Sequence, residues 1–514
     1  MSKEFGDFQT PPELIELILK SIDFRGSKWP RIFEPACGQG NFIISLLQNE
    51  SPPKEIQAIE IQENHLKIAK KRAKNFPNTS VFIQNQKIFD LNFQKDLNWQ
   101  TSGSLLVIGN PPWVTNSQLG IEGSNNLPKK TNLKNLSGLE AITGSANFDI
   151  SEYIWLKLIK ELAEEKPTIA LLCKTSVARN VLKFAFDNSL AIEESFIKKI
   201  DAKKWFNASV SACLFFIKIG SLAKKYQADI YKDLQAKQPI STMGLTSSGQ
   251  IIADLKAYKR SFFIEGISSL NWHQGLKHDA ASVMELTYDN NLKGLKNKLG
   301  KNVNVEPEYV YPLLKSSDIF HGKNPTKSVI VTQKCLGSDT LHLQYNAPKL
   351  WKYLNTYIER FEKRKSSIYR GKPPFSIFGI GDYSLTHYKV GISGLYKIPK
   401  FRAIGLVKGR PVMLDDTCYF IACFSPEQVA FITSLLNHPV CLNFIYSCFF
   451  DDAKRPITKK LLKRIDLKAI LENIEIQSLL SQAEIEFESL HADLRSKPQP
   501  KWPRSLEELL HAKY

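Results

Sequence analysis

The sequence predicts an α/β fold built on a largely parallel sheet, followed by a second domain of mixed α+β character. Between residues 31 and 219, short apolar runs alternate with amphipathic segments of helical period, joined mostly by short connections. Two of those runs break into stiff or glycine-bearing turns, "FEPACGQGNF" and "LLVIGNPPWVTN", the kind of punctuation that ends a buried strand at a ligand-facing edge. Beyond about residue 268 the alternation is lost. Aromatic and β-branched runs ("YVYPLL", "SVIVT", "FRAIGL", "TCYFIACF") are then separated by Gly and Pro turns.

The elements follow in order. "TPPELIELILKSIDF" opens with Thr and Pro and carries apolar residues at helical spacing, a capped amphipathic helix. "RIFEPA" leads into helix "NFIISLLQN", "IQAIEI" into helix "ENHLKIAKKRAKNF", and strands "SVFIQ" and "LLVIGN" follow. After residues 114–147, rich in Asn, Ser, Gly and Lys, come helix "ISEYIWLKLIKELAEE", strand "TIALLC" and helix "ARNVLKFAFDN". A loop of that length inside a compact domain is functional or disordered, and its place directly after Trp113 favours function. "IEESFIKKI" and "SACLFFIKI" lie close enough to pair as a terminal antiparallel hairpin, which puts the end of the first domain near Gly220. Residues 221–268 read as a polar connector, 269–465 as the second domain, and 466–514 as a helical, polar tail.

A net charge of +18 on a chain of 514 residues points to a polyanionic partner, with nucleic acid first. The eight cysteines form no C-x-x-C pair and sit mostly in apolar runs, so they read as buried free thiols. There is no signal peptide and no membrane-spanning apolar run. A cytoplasmic protein with no membrane partner is expected.

Gly38 and Gly40 stand between a strand and a helix, where glycine permits a tight turn and close approach of a ligand to the helix N-terminus. Glu60 ends the next strand twenty residues after Gly40, the place from which a carboxylate commonly takes a ribose diol. Ile43 occupies the third glycine position of a pyrophosphate fingerprint, which favours a nucleoside without pyrophosphate. A plain strand–helix turn accounts for the glycines alone, and a plain turn for Asn-Pro-Pro alone.

"QTPPE", "EPACGQGNF", "IEI" and "GNPPW", in that order, resemble the amino-group DNA methyltransferases that use S-adenosylmethionine. Asn-Pro-Pro followed by an aromatic is similar to the adenine-N6 members. The motif order with a large C-terminal extension is similar to the γ class of restriction-modification systems. The resemblance covers roughly residues 1–220. It implies a Rossmann-like class I methyltransferase domain followed by a target-recognition domain at 269–465. The implied activity is site-specific methylation of a flipped-out adenine in double-stranded DNA. A separate cognate restriction endonuclease is the usual partner in that setting.

The chemistry suits the motif. An exocyclic adenine amine is a poor nucleophile because its lone pair is delocalised into the ring. Two acceptors against its hydrogens, the Asn110 side-chain oxygen and the Pro111 carbonyl, would favour a tetrahedral nitrogen, and Pro111 and Pro112 hold them rigid. Trp113 offers a face for the extruded base. "KKWFNASVSACLFF" resembles the family segment that puts Phe206 opposite Trp113, with Trp205 the adjacent alternative and core packing the bland reading. For the cofactor the resemblance implies Thr10 and Pro11 at the methionine end. It also implies Glu34, Pro35, Ala36, Gly38 and Gly40 in the turn, Glu60 and Ile61 at the ribose, and Asn110 beside the methyl group. Near the cofactor's adenine the family often has an acidic residue. Here Lys87 takes the aligned place and Asp90 follows, so either Asp90 acts by a shifted register or a backbone amide replaces it, while Ile88 or Phe89 packs the ring. No metal and no covalent enzyme intermediate is expected, since no cysteine flanks the catalytic motif.

In the second half, "WKYLNTYIERFEKRKSSIYRGK" carries seven basic residues against two acidic ones, and "KRPITKKLLKR" six against none. Both suit phosphate contacts, against the bland reading of a solvated face. The rival functions are an RNA or protein-glutamine methyltransferase of the same fold and a non-catalytic DNA-binding module. The intact Asn110–Trp113 motif speaks against the last.

Overall fold

The computed structural model describes residues 9–114, 149–289, 294–491, 498–503 and 505–510. The segment 114–147, read above as a functional loop, falls almost wholly outside them. The chain divides into two compact units, Met1–Lys256 and Ala257–Tyr514.

The first unit is a ten-stranded sheet in the order β10-β9-β8-β6-β7-β5-β4-β1-β2-β3. At its centre β1 (Arg31–Glu34) runs parallel to β2 (Glu55–Ile59) and to β4 (Leu105–Gly109). β3 (Ser80–Gln84) and β5 (Thr168–Lys174) extend the parallel set on either side. Crossover helices carry the chain between these strands, as parallel pairing demands. The two central strands β2 and β4 are buried at every position because helices cover both faces. Each Leu or Ile removed from water there contributes about 1.5–3 kcal/mol.

β6 (Ile192–Ile200) and β7 (Ala212–Ile219) form the expected antiparallel hairpin, with β7 inserted between β5 and β6. The sheet does not stop at Gly220. β8 (Gln227–Tyr231) pairs in parallel with β6, and β9 (Ser241–Leu245) and β10 (Ile251–Ile252) complete the edge. The stretch 221–268, read from the sequence as connector, therefore carries three strands of this sheet. These strands are two to five residues long and only partly buried, so they carry too little alternation to register as strands.

The helix Pro12–Ser21 buries Leu14, Ile15, Ile18 and Leu19. Its N-cap is Pro11, and no side chain caps it. The Thr10 hydroxyl, expected as a cap, is used elsewhere.

The second unit holds two sheets. One is antiparallel throughout, β11 (Trp272–Gln274), β20 (Cys418–Cys423), β17 (Tyr388–Ser393) and β18 (Phe401–Ile404). The other has six strands, in the order β14 (Asn302–Val303), β13 (Gly294–Asn297), β12 (Glu285–Asp289), β16 (Lys327–Ile330), β15 (Val310–Leu314) and β19 (Met413–Leu414), with only β15 and β19 parallel. The segment read as a separate tail belongs to this unit. Leu479, Ala483 and Phe487 of the helix Ile476–Leu490 are buried, and Gln428 Nε2 donates to the Leu509 carbonyl at 3.1 Å. Seven of the eight cysteines are buried, and Cys335 is exposed. Among the described residues no single helix is long and apolar enough to cross a membrane. The bent pair Pro426–Asn437 and Pro439–Cys448 is apolar by composition, and most of its apolar residues are buried, Tyr446 being exposed.

Candidate active site

The carboxyl ends of β1, β2 and β4 meet at the point where the strand order reverses, the usual ligand edge of a doubly wound sheet. Between β1 and the helix Asn41–Leu47, Gly38 has φ +52° and Gly40 φ +80°. A Cβ on Gly40 would stand 3.1 Å from that of Ala69, so the glycine also lets the helix Glu63–Ala73 pack closely. The turn is braced from the N-terminal motif, because Gln39 N–H donates to Gln9 Oε1 at 3.2 Å. Arg72 braces it from the other side, donating to the Gln39 carbonyl and to Asn41 Oδ1.

Glu60 accepts the Gly38 N–H at 2.8 Å and the Gln62 N–H at 2.6 Å, which aims its carboxylate across the turn. Glu34 lies beside it, with 1 % of its surface exposed. Its Oε2 has no hydrogen-bond partner among the described residues. Burial, reinforced by the charge of Glu60, holds the Glu34 carboxyl well above its ordinary range, opposed only in part by the Ile43 N–H. The same burial and the two carboxylates push the Cys37 thiol up.

One cleft gathers Pro35, Ala36, Glu60, Ile61, Ile88 and Pro112 from the expected set. Ile59, Phe89, Ile150 and Ile154 add apolar wall, and Gln86 and Lys87 add polar groups. Asp90 is not part of the lining. It is exposed in a turn in which its N–H donates to the Lys87 carbonyl at 3.0 Å.

β4 ends at Gly109, whose φ of +153° suits glycine and whose Cβ position would lie 3.3 Å from Glu34 Cγ. Asn110 follows, half-buried, and its Nδ2 donates to Thr10 Oγ1 at 3.2 Å. With Nδ2 committed to Thr10, the acceptor of this amide is Oδ1, the atom the chemistry asks to take an amino hydrogen. The Thr10 carbonyl accepts from Asn41 Nδ2 at 2.9 Å, so one residue ties the N-terminal motif to both turns. Pro111 is buried beside it. Pro11 caps the first helix and lies outside the cleft lining.

The Trp113 indole N–H donates to the Leu172 carbonyl of β5 at 3.3 Å, and the ring packs edge-on against Phe206 at 5.1 Å and 77°. Both rings are buried, at 6 % and 7 % exposure, in the same apolar cluster. Phe206 ends the short helix Ala202–Phe206, and Trp205 is only partly buried at the cluster's margin. The exit of the motif is pinned as well. Ile150 N–H donates to the Val114 carbonyl at 2.9 Å, and Lys174 at the end of β5 pairs with Asp149 at 2.7 Å.

The family model described as N-6 DNA Methylase matches residues 1–227. The Type II methyltransferase M.NspV of Nostoc sp. (strain ATCC 29411 / PCC 7524) is 40% identical over 478 residues, 90% of this chain and 96% of that protein. The chain belongs to the N-6 DNA methylases. A structure of the Type IIL restriction-modification enzyme MmeI in complex with DNA superposes with a TM-score of 0.54. It is 12% identical and covers 95% of this chain and 70% of that one, a likeness of fold.

As an N-6 DNA methylase the protein is an adenine-specific DNA methyltransferase of the restriction-modification kind, and its methyl donor is S-adenosylmethionine. The site fits that donor. The cleft has apolar walls for a nucleoside ring beside Glu60, and the lone Glu34 oxygen is a buried acceptor suited to a cationic ligand.

Sequence reasoning passed over Gln9, Asn41, Arg72, Asp149 and Lys174. Gln9 and Asn41 lie inside quoted motifs, but neither type announces a turn brace. The other three are remote in sequence and meet the site only through the fold.

Thr10→Val removes the hydroxyl that orients Asn110 and keeps the carbonyl that holds Asn41. A lost hydrogen bond of this kind is worth about 1 kcal/mol. Single-turnover methylation is expected to slow about fivefold to tenfold, with circular dichroism unchanged. An unaltered rate would remove Thr10 from the positioning of Asn110.

Proposed function

We propose that this enzyme methylates the N6 amine of an adenine extruded from duplex DNA, with Asn110 and Pro111 as the acceptors that activate the amine. The observation that carries the reading is the Asn110–Thr10 hydrogen bond at 3.2 Å, which orients the amide at the end of β4 beside the nucleoside cleft. S-adenosylmethionine, when bound, supplies an electrophilic methyl group on a sulfonium. Glu60 takes the ribose hydroxyls in exchange for its backbone donors. Ile61, Ile88 and Phe89 pack the adenine ring, and Gly38 and Gly40 let the turn approach the ligand. Thr10, Pro11 and Glu34, with Pro35 and Ala36, surround the methionine end. Asp90, exposed and away from the cleft lining, takes no part in adenine binding, and a backbone amide of 86–88 serves instead.

Trp113, backed by Phe206, receives the extruded base. A base sandwiched face-on between two rings needs about 7 Å between them, twice an optimal carbon contact. The 5.1 Å edge contact is shorter, so the base stacks on one face of Trp113 while Phe206 keeps its edge contact. Ala257–Tyr514 acts as the target-recognition unit, and its basic surface follows the DNA backbone. A separate endonuclease of the same sequence specificity completes a restriction-modification pair in the cytoplasm.

Sequencing of DNA from cells expressing the protein, with a read-out of modified bases, tests the reading. N6-methyladenine in one sequence context is expected, and methylated cytosine or unmodified DNA would overturn it. Glu60→Ala is expected to weaken S-adenosylmethionine binding at least tenfold by calorimetry. An unchanged affinity would move the ribose contact elsewhere.

A further inference from the structure

The two basic stretches of the second unit differ in how much of their charge is spent internally. In 454–464, Arg455 pairs with Asp416 and Arg464 with Glu265. In 351–372, by contrast, three cations converge on one pocket of about 270 Å³. Its floor is rigid. Phe361 and Phe375 are buried and meet edge-on at 5.0 Å.

Arg364 forms the back of the pocket. Its guanidinium lies 3.7 Å over the Tyr369 ring and donates to the carbonyls of Ser376 at 2.7 Å, Phe361 at 3.0 Å and His278 at 3.3 Å. Every one of those partners is neutral. Burial lowers the pKa of this half-buried guanidinium, outweighing the Tyr369 hydroxyl and the Asp279 carboxylate that favour its charged form, so the group gains from an added anion. Arg370 and Lys372 stand at the mouth, both exposed, and neither has an ion-pair or side-chain hydrogen-bond partner among the described residues. Between them Gly371 has φ +65° with nothing within 4 Å of a Cβ, so the turn is open to an incoming ligand. Glu362 is the single carboxylate in the lining. Three cations against one anion, around an apolar floor, are complementary to a phosphate carrying a sugar.

We infer that this pocket binds one phosphodiester of the DNA backbone, with Arg364, Arg370 and Lys372 around the phosphate and Phe361 and Phe375 beneath the deoxyribose. The inference rests on DNA being the substrate. A contact of this kind fixes the register of the duplex and carries no sequence information by itself.

Fluorescence anisotropy of the full-length protein on a labelled duplex, measured across salt concentrations, tests it. Neutralising one phosphate contributes about 0.9 to the slope of log K against log salt. The double variant Arg370→Ala/Lys372→Ala is expected to lose about that much slope, equally on duplexes of any sequence. Arg370→Lys/Lys372→Arg is expected to keep the parent slope. A double-alanine slope equal to the parent's overturns the inference and leaves the methyltransferase reading intact. Loss of slope in the charge-preserving variant overturns it too, because the effect would then be structural. Transfer of no tritiated methyl to DNA by the parent protein would instead strike the functional reading itself.

Discussion

Asn110→Ala is expected to slow single-turnover methyl transfer at least a hundredfold while S-adenosylmethionine affinity stays within about twofold. The size follows from what is removed. An acceptor oriented toward developing charge is typically worth two to three powers of ten in rate, because it is pre-aligned in a site that excludes water. The structure supplies that alignment through Thr10, which accepts from Nδ2. Asn110→Asp is the sharper variant. It keeps an acceptor oxygen but loses the donor to Thr10. It also adds a charge one residue beyond Gly109, which packs on Glu34, whose carboxyl is already held above its usual range by burial and by Glu60. It should therefore be slow too, though less so than alanine. Alanine activity above about a hundredth of the parent's would remove Asn110 from the chemistry.

The second large effect is expected at Trp113. Trp113→Ala deletes a stacking face worth about 1–3 kcal/mol per base. It also opens a cavity in the core, since the ring is 6 % exposed and packs on Phe206. Large-to-small changes of that kind cost about 3–5 kcal/mol of stability, so alanine confounds the two roles. Trp113→Phe and Trp113→Leu separate them, as both fill much of the volume and both lose the bond to the Leu172 carbonyl. Phe is expected to retain turnover within about tenfold, and to retain the fluorescence change of 2-aminopurine at the target position. Leu should lose both while binding duplex nearly as well, because the proposed phosphate contacts lie in the other unit. Equal rates for Phe and Leu would make Trp113 a core residue and remove it as the stacking face.

Much of the first unit was legible because its strands are buried on both faces and its helices are amphipathic, which produces two distinct periods. Asn110 and Gly38 stood out for a related reason. A strand that ends in Gly109, Asn110, Pro111 and Pro112, and a turn with Gly38 and Gly40, are local signals that survive without a fold. β8–β10 did not stand out, because edge strands of two to five residues are half solvated and their composition is close to that of a loop. The helix Ile476–Leu490 misled for the opposite reason. Its exposed face is long and polar, while only Leu479, Ala483 and Phe487 face the interior.

The sequence by itself determined the α/β class, the order of the motifs, the glycine turn with Glu60 after the next strand, and the strand end at Asn-Pro-Pro-Trp. Each of those is a property of neighbouring residues. The tertiary structure alone decided that Thr10 orients Asn110 rather than capping a helix, across 100 residues of chain. It also decided that Glu34 is a buried, under-satisfied carboxyl beside Glu60, and that Asp90 stands outside the cleft. The reason is common to all three. Hydrogen-bond partners, burial and the charge a group feels are set by atoms that only folding brings within a few ångströms, and no local pattern encodes them.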